Sequence, residues 1–185
     1  MNANELELFL SEVRPVLIEA ICIGVQEHVE SLRCKGIDFY AYALLPGEVY
    51  DLHDIVAVTN SLTDVAVPIE DSQYSYYRFC VDEWKHWHSD GFAAANTVML
   101  EANQRFAAAH AGVEYAMDDV QIAYANGLLD SILSGIDQAK RRGTFVGTDP
   151  FLAIWISDSG SEIIAESVKR LNNTDVFADF MAEFG

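Results

Sequence analysis

The sequence predicts an α+β fold: a mainly antiparallel sheet of about four strands packed with helices, with a long N-terminal helix. Apolar residues recur at steps of three and four from Leu6 to Leu32, the spacing of one buried helical face. Runs of aromatic and branched residues at 39–45, 52–59, 74–84 and 151–156 have strand character, and long helical stretches between the last two break any regular strand–helix alternation. At 185 residues the chain suits one core, so residues 1–185 are read as a single globular domain.

Asn4 ahead of Glu5 and Glu7 reads as a helix start, a cap residue followed by acids where the helix dipole favours them. Leu6, Leu10, Val13, Leu17, Ile21, Gly24, His28 and Leu32 form the buried stripe, and Pro15 within it predicts a kink or a division. His28, alone on that stripe, is read as a core residue. After Gly36 the period changes to two, with Phe39, Ala41, Ala43 and Leu45 alternating with Tyr40, Tyr42 and Leu44, as in a strand buried on both faces. Pro46-Gly47 is expected to end it, and the run from Leu52 to Thr59 to pair back as an antiparallel hairpin.

The segment Tyr74–Trp84 is expected to be a central third strand, with Arg78 paired to a carboxylate or carbonyl because a buried unpaired charge is costly. A helix with Phe92, Ala95, Met99, Ala102 and Phe106 inward follows, then one starting at Asp118 with Val120, Tyr124, Leu128, Ile132 and Ile136 inward. The latter ends in Lys140-Arg141-Arg142-Gly143, basic residues in a last turn and glycine beyond it, which needs no docking partner to explain it. Phe151–Ile156 makes the fourth strand. Short helices from Ser161 to Leu171 and after Asn173-Thr174-Asp175 close the chain, with Ser159 and Glu162 spaced like a capping box.

The 51% apolar content excludes disorder, despite a net charge of −18 from 29 acidic and 11 basic residues. A surface this negative repels phosphate backbones and anionic headgroups, so neither nucleic acid nor a membrane is an expected partner, whereas a basic protein or a metal cation is favoured. Cys22, Cys34 and Cys80 are too few and scattered for a disulfide framework. The start Met-Asn-Ala-Asn-Glu-Leu-Glu has no signal-peptide character and no apolar run spans a membrane, which points to the cytoplasm.

The densest polar constellation is Asp82-Glu83-Trp84-Lys85-His86-Trp87-His88-Ser89-Asp90. Strand geometry puts His86 and His88 on one side, as a metal-ligand pair requires, with Asp82, Asp90 or His53 the available further ligands. Without a third ligand at a recognisable spacing, the pair is expected to be metal-free and no cofactor is assigned. Asp158, after the fourth strand, suits turn formation or a polar site. Glycine-rich phosphate loops, the GxSxG elbow, HExxH, the EF-hand loop and cysteine zinc patterns are absent, so no catalytic residue is assigned.

In order, Phe39-Tyr40-Ala41-Tyr42-Ala43-Leu44, then Tyr76-Tyr77-Arg78-Phe79 with Glu83-Trp84, then Ile156-Ser157-Asp158-Ser159 with Ser167-Val168-Lys169-Arg170-Leu171-Asn172, the sequence resembles a bacterial family of unknown function, domain of unknown function 4303. The likeness runs from about residue 36 to residue 173. It implies no activity. Some relatives resemble proteins found near bacterial toxin systems, where acidic cytoplasmic domains act as immunity partners. The leading expectation is therefore a non-catalytic, immunity-like binding module for a basic protein, with Tyr76, Tyr77, Arg78, Glu83, Trp84, Trp87 and Asp158 as its surface. The alternatives are a metal-assisted hydrolase built on His86 and His88 with Asp82 or Asp90, and a structural homodimer.

Overall fold

The computed structural model describes residues 1–48, 51–112 and 116–185. In order its elements are α1 (Ala3–Cys34), β1 (Ala41–Glu48), β2 (Asp51–Asn60), α2 (Tyr74–Phe79), β3 (His86–His88), α3 (Ala93–Ala109), α4 (Asp119–Arg141), β4 (Phe151–Ile154), α5 (Glu162–Leu171) and α6 (Thr174–Phe184), with single 3-10 turns at Leu62–Asp64 and Val81–Glu83. The fold is α+β. Its sheet has the order β3-β2-β1-β4, antiparallel except for the parallel β1–β4 pair.

Helix α1 begins two residues earlier than the acids suggest. Asn2 is the cap, its side chain accepting from the Asn4 and Glu5 amides while Glu5 reaches back to the Asn2 amide. Pro15 does not divide the helix, which runs unbroken through it. Pro15 is exposed, so the Ser11 carbonyl that loses its partner can turn to water. The predicted stripe is buried throughout, and Phe9, Cys22, Val25 and Val29 widen it because α1 lies between the sheet, α3 and α4. Fully buried side chains such as Leu17 and Ile21 contribute about 1.5–3 kcal/mol each by leaving water.

The closest helix pair is α1 with α4, and two glycines of α4 set that approach. A Cβ at Gly127 would stand 2.6 Å from Leu10 Cδ1, and one at Gly135 would stand 2.5 Å from Ile21 Cβ and 3.0 Å from the Ile18 carbonyl. Backbone cannot yield as a side-chain tip can. Gly135→Ala is therefore expected to cost about 2 kcal/mol of overpacking against about 1 kcal/mol of improved helix propensity. Denaturant unfolding should show a net loss near 1 kcal/mol, and a stabilised variant would mean that the two helices separate freely.

Strand β1 passes through Pro46-Gly47 instead of stopping there. The ladder with β2 shifts register between Leu45 and Gly47, a bulge around a residue with no amide hydrogen, and Gly47 has φ 117°. On both sides of it β1 and β2 form the expected antiparallel pair. One sheet face, carrying Tyr42 and Thr59, meets α1 through His28. The opposite face, carrying Phe151, meets Phe79 of α2 and Phe180 of α6.

The third strand is not where the aromatic run predicts it. Tyr74–Phe79 is helical, a 3-10 turn follows, and the sheet instead takes His86–His88, paired with Ala57–Thr59 of β2. Read at period two, the aromatic run looks buried on both faces; at helical period, Tyr76, Phe79 and Cys80 lie on one side. That side packs on α6, where Tyr76 stacks on Phe184 and Phe79 meets Phe180 edge-on. The tertiary surface, not strand propensity, decides the conformation.

The later helices follow the sequence more closely. Phe92, Ala95, Met99, Ala102 and Phe106 are buried beside β2 and α1. Asp118 caps α4 in a capping box with Gln121, and Tyr124, Leu128, Ile132 and Ile136 are buried. The basic triplet is engaged within the chain: Lys140 donates to the Leu171 carbonyl, Arg141 pairs with Asp137 and Arg142 with Glu19. Ser159 and Glu162 form no capping box; Ser161 is the residue before α5, and the Ser159 hydroxyl accepts from its amide. Asn173 caps α6 as expected.

Strand β4 is an edge strand whose outer backbone groups are met by α5. The Asn172 amide accepts from the Leu152 N–H and donates to the Leu152 carbonyl, and the Ser167 hydroxyl accepts from the Ile154 N–H. A side chain of α5, Ser167, and that of its C-cap residue, Asn172, thus stand in for a further strand.

Candidate functional site

The predicted surface residues part company. Trp84 is buried against Tyr40 and Phe151, and Tyr76 and Tyr77 pack edge to face beside α6. Trp84 and Tyr76 belong to the apolar cluster that holds α2 and α6 to the sheet. Trp87 is half exposed, at 50%, with its indole N–H donating to the Trp84 carbonyl, and it is the aromatic of the set best placed to touch a partner. Glu83 is exposed. Asp158 sits in an exposed turn at φ 53°, a left-handed conformation that Asp tolerates better than most residues. Arg78 lies 4.0 Å from Asp179 through Nη1, over the Phe79 ring, and its buried Nε has no partner.

His86 and His88 alternate to the same side of β3 but take different partners. His86 Nε2 lies 3.0 Å from Asp64 Oδ2, and His88 Nε2 lies 3.2 Å from the Thr59 hydroxyl. The Ser61 hydroxyl and His86 together hold the Asp64 carboxyl below its usual range. His88 also faces His28 at 4.7 Å between ring centres, and burial lowers the pKa of both rings. Tyr42 OH is 2.9 Å from His28 Nδ1, so His28 is a hydrogen-bonded core residue as expected.

The candidate further ligands are elsewhere. Asp82 accepts from the Trp155 indole and the Ser157 hydroxyl, and Asp90 is exposed beyond β3. His53 is also exposed, four residues up β2 from the partner of His88, on the order of 13 Å away. Among the described residues, no three His, Cys, Asp or Glu side chains come together in a way that could hold a metal ion.

A concave site that no local motif announces lies across the molecule. A cleft of about 910 Å³ opens between the N-terminal half of α1, the middle of α4 and the start of α5. Leu6, Leu10, Leu129 and Ile163 supply apolar lining, while Glu7, Asp130, Glu162 and Glu166 supply four carboxylates. Arg14 is the one cation lining it among the described residues, and it is ion-paired with Glu7 at 2.6 Å. The cleft is therefore strongly anionic. The same holds more widely, because Arg105, Arg141, Arg142 and Arg170 also spend their charge on carboxylates of the chain. The surplus acids remain to shape the external field.

Residues 17–173 match the family described as Domain of unknown function (DUF4303), and the chain belongs to that family. No curated protein and no solved structure gives a significant match. The three stretches that carry the resemblance meet in the fold: Asn172 holds β4, and Trp84 packs on Tyr40 of the segment entering β1. Among the described residues, no helix is long and apolar enough to cross a membrane.

Proposed function

We propose that the chain is a non-catalytic binding module whose anionic cleft receives a basic, partly apolar segment of another protein. The supporting observation is the cleft lining, in which four carboxylates surround aliphatic side chains and Arg14, the one cation lining it among the described residues, is already paired. Such a site favours Lys or Arg on the partner at its rim and an aliphatic or aromatic anchor at its base. An immunity-like role, in which the basic partner is a toxin, is the particular form suggested by the resemblance to toxin-system neighbours. The cytoplasm is the compartment that goes with this reading.

The test is kinetic. A partner captured from the native cell should be basic, and its on-rate should fall at least about tenfold between low and high salt, as steered association does. The double reversal Glu162→Lys with Glu166→Lys should slow association further and remove most of the salt dependence, leaving dissociation less affected. An acidic partner, or an on-rate indifferent to salt and to the reversal, would overturn the proposal.

A further inference from the structure

A second concavity, of about 200 Å³, opens between Tyr40, Arg78, Lys140 and Asn172. It is opposite in character to the acidic cleft. Arg14, Arg33, Arg105, Arg141, Arg142 and Arg170 each donate hydrogen bonds to a carboxylate or a backbone carbonyl of the chain. Arg78 donates none among the described residues, although its Nε is buried and its side chain is only 32% exposed. Its nearest carboxylate, Asp179, stands at 4.0 Å, beyond hydrogen-bonding reach. A buried guanidinium donor without an acceptor is costly, and with its terminal nitrogens also unengaged among the described residues, the Arg78 guanidinium is the least satisfied of the arginines.

Lys140 brings a second cation to the same pocket. Its ammonium donates to the Leu171 carbonyl and retains two further donors. Tyr40 is not free to compete, since its hydroxyl donates to the Arg78 carbonyl and accepts from Asn60. At the start of α6 the Asn173 side chain already accepts from the Val176 amide, and the site rests on the two cations. Two carboxylates, Asp149 in the lining and Asp179 beside Arg78, offset the two cations and leave no surplus of positive charge for a second negative charge on a ligand. That balance favours a monoanion over a dianion. The volume equals about six or seven waters, which limits the ligand to a handful of non-hydrogen atoms.

We propose that Arg78 and Lys140 form a binding site for a small monoanionic carboxylate, held by the Arg78 guanidinium with Lys140 as the second donor. The site is separate from the acidic cleft and does not depend on it.

Arg78 itself supplies the probe, because its Nε–H gives a side-chain resonance in nitrogen-15 NMR spectra. Titration with acetate at fixed ionic strength should move that resonance downfield and saturate, and inorganic phosphate at pH 8 should bind at least about threefold more weakly. Lys140→Met should raise the acetate Kd about fivefold, read from the same resonance. Arg78→Met should abolish the acetate-induced rise in thermal midpoint without lowering the midpoint of the free protein, since the variant no longer buries an unpaired donor. A resonance unmoved at 100 mM acetate, an acetate effect that survives Arg78→Met, or a free Arg78→Met protein that melts well below the parent would each overturn the proposal. Stronger binding of phosphate than of acetate would overturn the monoanion assignment.

Discussion

Replacing Asn172 with alanine is expected to lower the free energy of unfolding by about 3 kcal/mol. The Asn172 amide accepts from the Leu152 N–H at 2.8 Å and donates to the Leu152 carbonyl at 2.7 Å and the Val168 carbonyl at 2.9 Å. Leu152 is 1% exposed, so water does not readily reach either group once the amide is gone. Each buried group left without a partner costs about 1–3 kcal/mol, and two are orphaned on β4. Asn172→Asp keeps the acceptor, loses both donors and should fall between. Urea unfolding should shift in midpoint with an unchanged slope. A loss below about 1 kcal/mol would show that solvent replaces the amide.

Acid should destabilise the fold through His28. Burial first, then the charges of His88 and Lys35, lower its pKa from the ordinary 6.5 to about 4, with Asp90 acting weakly in the other direction. The unfolded chain therefore takes up the proton first. Stability is lost as pH falls through about 6.5 and levels off near 4, a total of about 3 kcal/mol for a shift of about 2.5 units. His88, also lowered chiefly by burial, adds to the loss with the same sign. Protonating surplus carboxylates relieves repulsion over the lower part of that range and opposes the effect, so the parent curve alone is ambiguous. The stability gap between the parent and His28→Gln is the clean measure. It should narrow by about 2–3 kcal/mol between pH 7.5 and pH 4, and a constant gap would show that His28 does not titrate differently on folding.

The long helices are legible in the sequence because their signals repeat. Leu6 to Leu32 repeats the same stripe over many turns, and Asp118 announces a start that the structure uses. Tyr74–Phe79 fails for the opposite reason: over six residues the two periods cannot be told apart, and aromatic rings suit a packed helix face as well as a sheet. His86-Trp87-His88 has no strand signal of its own and is extended because Ala57–Thr59 pairs with it. The concave sites were less legible still. Glu7, Asp130 and Glu166 share the acidic cleft only because α1, α4 and α5 pack together, and no spacing in the sequence encodes that meeting. Arg78 was visible as a residue needing a partner. That Lys140 would join it depends on the end of α4 lying beside the end of α5.

The Ser167 and Asn172 side chains that serve β4 also limit how another protein can grip this one. Strand addition, in which an incoming chain extends a ladder of neutral backbone bonds, needs a free and reasonably long edge. One edge here is occupied by Asn172 and Ser167, and the other is β3, three residues long. A partner is left with side-chain contacts, and on this surface those are largely carboxylate contacts that salt weakens. Ladder bonds would survive a high-salt wash. Isolation at about 0.5 M salt, where charges are screened within roughly 5 Å, would therefore tend to strip the partner away, and low-salt recovery is the condition under which a complex should persist.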